Sequence, residues 1–207
     1  MSATAPLTAS NKGAATRETI IDRAYGMACS AGLDSLSIGT LALAVGMSKS
    51  GVFAHFGSRE GLQLAVLESA GLRFGHYVLV PALAAPRGLP RLRAIVERWF
   101  DWVRHSTDGG CLYLAAVSEF DDRPGAIRDS LLQHEVRWRD ELARAIQLTL
   151  EVGELQPDTD AQQLAFEIYG LALIVHHDAG LFGYDAARLR GQRAFERLIR
   201  SYSPTSP

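Results

Sequence analysis

The chain has 207 residues, of which 47% are hydrophobic and 21% are charged, and its formal net charge is −2. This composition is typical of a soluble globular protein with room for one large or two small domains. The charge excludes a strongly basic chain, and no run of 18 apolar residues predicts a transmembrane helix.

Two cysteines and the first residues of the chain bear on its compartment. Cys29 and Cys111 lie far apart, each among small apolar residues, and without the spacing of metal ligands. We expect both to be buried free thiols, as is usual in a reducing compartment. Residues 1–15 lack the apolar core of a secretory signal. The predicted location is the cytoplasm.

The predicted N-terminal elements are four helices separated by glycine and serine. Residues 1–15 are small and polar and are predicted to form a flexible arm. Thr16 is a candidate N-cap for a helix over 17–31, which Gly32 would end. A second helix is predicted over 37–45. Ser48 and Ser58 are candidate N-caps for a third helix (49–55) and a fourth, which continues to about residue 80 and which Pro81 is expected to end.

The rest of the chain is predicted to be helical too. The predicted helices cover residues 90–106, 110–120, 124–151, 160–180 and 186–201. Pro124 suits the first turn of the long helix, and Asp160 with Gln163 resembles a capping box. Because no stretch alternates as a strand would, the chain is predicted to be all-α, with about nine helices.

The stretch "GMSKSGVFAHFGSREGL", which begins at Gly46, mixes apolar and hydrogen-bonding residues closely. A recognition helix that enters the major groove needs donors and small residues outside and apolar residues inside. Val52 and Phe56 are four apart and can face inward, which leaves Lys49 and Phe53 on the outer side. The two helices around Gly46 are therefore predicted to form a helix-turn-helix.

On composition alone, a purely structural role of the same residues in a helical bundle stays open. Short helices separated by glycine occur in many helical bundles. His55 would more often be a packed or capping histidine than a base-reading one, and Lys49 alone is a solvated charge.

The run "LSIGTLALAVGMSKSGVFAHFGSREGLQLAVLE" resembles the DNA-binding domain of the tetracycline-repressor (TetR-like) family of bacterial regulators. The matching residues are Leu41, Ala42, Gly46, Ser48, His55, Phe56, Ser58, Glu60 and Leu62. The resemblance is strong over residues 16–65 and architectural beyond them. It departs from the family at Phe53, where tyrosine is common, and at Ser50 and Gly51, where glycine and threonine are usual.

The resemblance implies a division into domains and a set of DNA contacts. It implies an arm (1–15), a helix-turn-helix domain (16–62), an effector-binding and dimerisation domain (63–202) and a tail (203–207), with a helix over 58–80 connecting the two domains. The residues expected at DNA are Lys12, Arg17, Ser37, Thr40, Ser48, Lys49, Ser50, Gly51, Phe53, His55 and Arg59.

In such a family the second domain encloses an effector pocket and forms a four-helix dimer interface. The aromatic residues expected at the pocket are Phe74, Trp99, Phe100, Trp102, Tyr113, Phe120, Trp138 and Tyr169. For each of these, a place in the core is an equally good interpretation. The residues expected at the dimer interface are Leu173, Ile174, His177, Leu181, Leu189, Phe195 and Leu198.

Two clusters would suit other chemistry. His176, His177 and Asp178 could be metal ligands, but adjacent helical positions point about 100° apart, so an interface or pocket role is favoured. In "EFDDRPG", Asp121 or Asp122 is expected to cap the long helix. No nucleophile elbow, phosphate loop or carboxylate pair is present, so no enzymatic activity, cofactor or metal is expected.

The leading hypothesis is a homodimeric repressor that a small hydrophobic or aromatic effector releases from a palindromic operator. The alternative hypothesis is a helical small-molecule-binding or metal-dependent enzyme that retains the DNA-binding head as a remnant. A regulator that responds to a protein partner is a third hypothesis.

Overall fold

The computed structural model describes residues 8–105 and 111–204, with the side chains of residues 13–104 and 111–204. Within these residues the fold is all-α, as predicted, and contains nine helices and one short 3-10 helix (Leu33–Ser35). The helices are α1 Thr8–Ala31, α2 Ile38–Ala44, α3 Lys49–Phe56, α4 59–82, α5 Leu89–His105, α6 Leu112–Phe120, α7 Ala126–Glu151, α8 Ala161–Phe182 and α9 Tyr184–Tyr202.

Each of the helices α2, α3 and α4 begins directly after a serine that caps it. Ser37, Ser48 and Ser58 accept hydrogen bonds from the backbone N–H groups of Thr40, Gly51 and Gly61, respectively. Each bond satisfies one of the backbone donors that the first turn of a helix leaves unpaired. We refer to α1, the 3-10 helix, α2 and α3 as the head, and to α5–α9 as the body; α4 connects them.

The beginning of α1 corrects the sequence prediction. The helix begins at Thr8, so Thr16 lies inside it and is not its N-cap, and residues 8–15 are helical. Alanines at 9, 14 and 15 favour this extension, because alanine has the highest helix propensity. The rest of the predicted arm, 1–7, and the end of the tail, 205–207, lie outside the described residues.

Pro81 does not break α4 but lies inside its last turn. The helix runs as an α-helix over Arg59–Phe74, widens into a π-helical turn over Gly75–Leu79 and ends with Val80–Ala82. Proline has no N–H and its ring crowds the carbonyl four residues earlier, which the wider turn accommodates. In this turn the N–H of Val80 donates to the carbonyl of Gly75.

The caps of the two longest body helices differ from each other. Asp160 caps α8 as predicted, since its carboxylate accepts from the N–H groups of Gln162 and Gln163. The prediction for α7 is wrong: the helix begins at Ala126 after Gly125, which has φ +145° and provides no side-chain cap. Pro124 therefore precedes the helix, and Asp121 lies at the C-terminal end of α6.

The body is built around α8, which packs against α5, α7 and α9. Gly191 allows α9 to approach closely, because a Cβ on that residue would overlap Val175 of α8 and lie 3.2 Å from the ring of Phe100. Cys29 and Cys111 are buried free thiols, as predicted. Across the described residues, no helix is long and apolar enough to cross a membrane.

Candidate functional site: nucleic-acid interface and ligand cavities

Helices α2 and α3 form the predicted helix-turn-helix. Gly46 takes φ +66° between them, a conformation that glycine adopts without steric strain. Val52 is completely buried and Phe56 is half-buried, so these two residues fix α3 to the head. The opposite side of α3 is then free to carry polar groups.

The outer side of α3 presents Lys49, Ser50 and Phe53 to solvent. The side chain of Phe53 is 52% exposed, which is unusual for a phenylalanine. His55 is half-buried, with its ring centroid 6.2 Å from that of Phe56. A Cβ on Gly51 would lie 3.2 Å from the Ser48 hydroxyl, in close contact with the residue that caps α3.

Ser37 and Thr40 lie at the start of α2 next to Lys49. The Ser37 and Thr40 hydroxyl oxygens are 2.9 Å apart, and the Thr40 hydroxyl donates to the Ser37 carbonyl. The Lys49 Cε lies 3.2 Å from the place of a Cβ on Gly39, so the lysine extends along α2. We call Ser37, Thr40, Lys49, Ser50 and Phe53 the recognition surface.

Two of the residues predicted to contact DNA, Arg17 and Arg59, make contacts within the head. The Arg17 guanidinium sits 5.3 Å from the centroid of the Phe56 ring, in a cation–π arrangement. Arg59 donates from Nε to the Leu36 carbonyl at 2.7 Å and pairs with Asp34 at 2.7 Å, so it stabilises the head itself. The side chain of Lys12 lies outside the described residues.

The sequence does not predict a contact that α6 makes with the head. The Glu119 carboxylate accepts from the backbone N–H groups of Leu33 at 3.2 Å and Asp34 at 2.8 Å. Arg123 pairs with the Asp34 carboxylate at 3.0 Å. Hydrogen bonds from Arg123 and Arg59 hold the pKa of Asp34 below its ordinary value. We call Glu119, Arg123, Leu33 and Asp34 the α6–head contact.

The signal for this contact was present in the sequence. Glu119 is the first acid of "EFDDRPG", in which only Asp121 or Asp122 is expected to cap the next helix. A run of three acids beside a helix end shows that carboxylates are available, but it does not show which backbone amides they meet. Those amides are more than 80 residues away in the chain.

A cavity of about 580 Å³ lies between α6, α7 and α8, and we call it the α6–α8 cavity. Its lining includes apolar residues from all three helices: Leu114, Val117, Phe120, Leu131, Leu132, Val136 and Leu173. Its polar lining includes Glu135, Tyr169 and Arg139. Burial raises the pKa of Glu135, whose carboxylate lies 4.0 Å from Arg139 Nε. This mixture suits an amphipathic small molecule.

A second cavity of about 470 Å³, which we call the α4–α7 cavity, opens beside the connecting helix. Its lining includes Phe74, Tyr113, His134 and Trp138. A groove of about 890 Å³ runs along α8, with Val103, His176, His177 and Tyr184 among the residues at its edges. The Nδ1 of His176 accepts from the Cys111 N–H at 3.3 Å.

The predicted pocket aromatics therefore divide between walls and core. Phe120 and Tyr169 line the α6–α8 cavity, and Phe74, Tyr113 and Trp138 line the α4–α7 cavity. Trp99, Phe100 and Trp102 are buried and border none of these spaces as far as the described residues show. Trp99 lies edge-on to Trp138, with ring centroids 4.9 Å apart, so these two tryptophans pack together in the core.

Of the residues predicted at the dimer interface, most are exposed and one is buried. Leu173, Ile174, His177 and Leu181 are exposed on α8, and so is Leu189 on α9. The prediction for Phe195 is corrected, because this residue packs in the core of the body and only 3% of it is exposed. Leu198 is half-buried. The side chains of His177 and Asp178 face each other at 3.6 Å, and no group that could hold a metal occurs among the described residues.

Tyr113 and His134 form a stacked pair against α4. Their rings are 3.5 Å apart with 9° between their planes, and the Tyr113 hydroxyl donates to the Leu67 carbonyl at 2.7 Å. A Cβ on Gly71 would lie 3.1 Å from that hydroxyl, so glycine permits the close approach. Burial, followed by the charge of Arg137, lowers the pKa of His134 to about 4.

The lowered pKa of His134 predicts that the folded protein loses stability as the pH falls. The ordinary pKa of histidine is 6.5, so as pH falls the unfolded chain takes up the proton before the folded one does. The stability that neutral His134 contributes is complete above pH 6.5 and is lost as the pH falls toward 4. Between pH 7 and pH 4.5 we expect the wild type to lose about 2 kcal/mol more than His134→Phe, which keeps the stacked ring. Urea unfolding at both pH values measures this, and identical pH dependence in the two proteins would contradict it.

Comparison with protein families gives two matches. Residues 20–66 match the family of bacterial regulatory proteins, tetR family, and residues 88–195 match the tetracyclin repressor-like, C-terminal domain. The first match contains the helix-turn-helix, and the second contains the exposed apolar residues of α8 and Leu189 of α9. No curated protein matches the chain.

Solved structures show the same fold at low identity. A TetR-family regulator from Cytophaga hutchinsonii is 21% identical, with a TM-score of 0.80 over 94% of this chain and 98% of that one. A TetR regulator from Chloroflexus aurantiacus is 23% identical, with a TM-score of 0.78 over 92% and 95%. AibR, solved with isovaleryl coenzyme A and operator DNA, is 19% identical, with a TM-score of 0.68 over 92% and 99%.

The two family matches together contain the recognition surface, the α6–head contact, the α6–α8 cavity and the groove along α8. The C-terminal match alone extends over more than half of the chain. The chain therefore belongs to the TetR family of bacterial regulatory proteins.

Proposed function

We propose that the chain is a cytoplasmic transcriptional repressor that binds a palindromic DNA operator as a homodimer and is released by a small-molecule effector. The recognition surface carries this proposal. It combines an exposed aromatic ring, a lysine and three hydroxyl groups on a helix-turn-helix whose inner side is fixed by Val52. Lysine and hydroxyl groups bind phosphates, and an apolar ring can contact a thymine methyl.

The exposed side of α8 supports the homodimer. Leu173, Ile174 and Leu181 lie on one side of that helix and expose between 41% and 64% of their surface. Leu189 adds to this apolar surface from α9. A twofold axis through these helices would cover the apolar surface and present two recognition surfaces to a palindrome.

The α6–α8 cavity is the proposed effector site, and a small apolar or aromatic molecule with one polar group is the proposed ligand. Its walls are mainly apolar, and the carboxylate of Glu135 and the guanidinium of Arg139 stand at the polar side. AibR, which shares the fold, was solved with an acyl coenzyme A, so a ligand with an apolar acyl portion is compatible with this fold.

Substitutions on the recognition surface test DNA binding. The probe is a DNA fragment from upstream of the chain's own gene, and affinity is measured at several salt concentrations. We expect Lys49→Ala to weaken binding and to reduce the slope of log affinity against log salt by about 1, because one phosphate contact is lost. Phe53→Ala should weaken binding about tenfold, as expected for a good apolar base contact, without changing the slope.

Two exposed residues outside the head serve as matched controls. Arg144→Ala removes one cation from α7, and Leu83→Ala removes one exposed apolar side chain after α4. Neither should change DNA affinity. If Lys49→Ala and Phe53→Ala also leave it unchanged, and the wild type shows no salt dependence, then the recognition surface does not bind DNA.

A further inference from the structure

The head is connected to the body at the 3-10 helix as well as through α4. This short helix lies between α1 and α2, and Gly32 precedes it with φ +86° and no side-chain cap of its own. Its first backbone N–H groups, those of Leu33 and Asp34, bond instead to the carboxylate of Glu119 in α6. A residue of the body therefore caps a helix of the head.

Gly32 is needed for this contact in two ways. Its positive φ is strained for any residue with a side chain. In addition, a Cβ at this position would lie 2.7 Å from Oε1 of Glu119, so the carboxylate would have to move away from the backbone that it contacts. The glycine thus leaves room for the carboxylate to reach the backbone.

Further contacts bring α4 to the same 3-10 helix. Gln63, which is buried, donates from Nε2 to the Leu33 carbonyl at 2.9 Å. Arg59 and Arg123 both pair with Asp34 and so flank it from α4 and from the residues after α6. The 3-10 helix is held on both sides, and a shift of the end of α6 relative to α4 must strain these contacts.

The same end of α6 forms a wall of the α6–α8 cavity. Val117, Phe120 and Asp121 line that cavity, and Glu119 lies between them in the sequence. Residues on one short helix cannot move independently, because the backbone hydrogen bonds hold them as a unit. A molecule that pushes this wall outward also moves the Glu119 carboxylate.

We propose that Glu119 is the positioning residue that transmits occupancy of the α6–α8 cavity to the head. With the cavity empty, Glu119 holds the 3-10 helix and so fixes the orientation of α2 and α3. Filling the cavity displaces the end of α6, weakens the bonds to Leu33 and Asp34, and allows the recognition surface to leave its DNA-binding orientation. This inference rests on the proposed function of the same cavity and head.

A double-mutant cycle tests this coupling without an identified effector. Val117→Trp fills part of the cavity, and Glu119→Ala removes the contact. We expect Val117→Trp to weaken binding to the upstream DNA fragment at least about fivefold in the wild-type background. In the Glu119→Ala background, Val117→Trp should change the affinity less than about twofold, because the contact of Glu119 with the 3-10 helix is already absent. Equal effects in the two backgrounds, or no effect of Val117→Trp in either, would overturn the proposal.

Further variants separate this coupling from general damage. Leu132→Trp fills the same cavity from an exposed position on α7, in case Val117→Trp does not fold. Asp122→Ala, which removes an exposed acid of the same run, should leave the cavity-filling effect intact. Glu119→Gln keeps one accepting oxygen and should give an intermediate coupling.

Amide hydrogen exchange provides a measurement that does not need DNA. Cavity filling should speed exchange at Leu33 and Asp34 while leaving the centre of α7 unchanged. If the wild type fails to bind DNA but exchange at these two amides responds to filling, then the proposed function fails and the coupling stands. If the wild type binds DNA and the amides do not respond, then the coupling fails alone.

Discussion

Trp99→Ala is expected to lower the free energy of unfolding by about 3–5 kcal/mol, the usual cost of removing a large aromatic side chain from a core. Only 1% of Trp99 is exposed, and its ring lies 4.9 Å from Trp138 and 5.6 Å from Tyr169 between ring centroids. These edge-on contacts add to the loss of buried apolar area. Urea unfolding, followed by circular dichroism at one protein concentration, measures the change.

The control for this prediction is Leu83→Ala, at a position that is 59% exposed. We expect it to change the free energy of unfolding by less than about 0.5 kcal/mol. A loss below about 1.5 kcal/mol for Trp99→Ala would show that the body can close over the missing ring. It would also mean that the aromatic cluster is less tightly packed than the ring distances indicate.

Val52→Asp is expected to unfold the head and reduce DNA affinity more than a hundredfold. Val52 is completely buried, and placing a carboxylate in an apolar core costs several kcal/mol. The head is small, so it has little stability to lose. Amide protection in α1–α3 should be lost, while protection in α8 should remain.

Ala54→Asp introduces the same charge two residues later at an exposed position of α3. It should leave amide protection in the head close to that of the wild type, whatever the added charge does to DNA binding. If Val52→Asp keeps its protection too, then α3 does not depend on Val52 for its attachment, and the division of α3 into inner and outer sides is wrong.

Local signals in the sequence predicted most of the fold. Ser37, Ser48, Ser58 and Asp160 cap the helices that they were expected to cap or begin, because a cap needs only the three following residues. The failures concern Thr16, which lies inside α1 and does not cap it, and two prolines. Pro81 lies in a helix because a wider turn accommodates it, and Pro124 lies before one. Sequence spacing alone does not distinguish these outcomes.

The sites were harder to predict than the helices, because they depend on residues distant in sequence. The outer face of α3 follows from its spacing, since Val52 and Phe56 must face inward together. By contrast, Arg59 looks like a free cation until Asp34 and Leu36 are brought beside it. Glu119 meets its partners only through the packing of α6, and Phe195 differs from Leu189 in burial though both lie on α9.

The π-helical turn of α4 determines how the two halves of this helix are aligned. Such a turn corresponds to one extra residue in an otherwise regular α-helix. Each helical residue rotates the following side chains by about 100°, so this one residue sets which side of Arg59–Phe74 faces the head when Val80–Ala82 is held by the body. Relatives that lack the extra residue would need a different packing of head on body. A chimera that joins the head of one such regulator to the body of another must therefore preserve the residue count through Gly75–Leu79, besides matching the two surfaces.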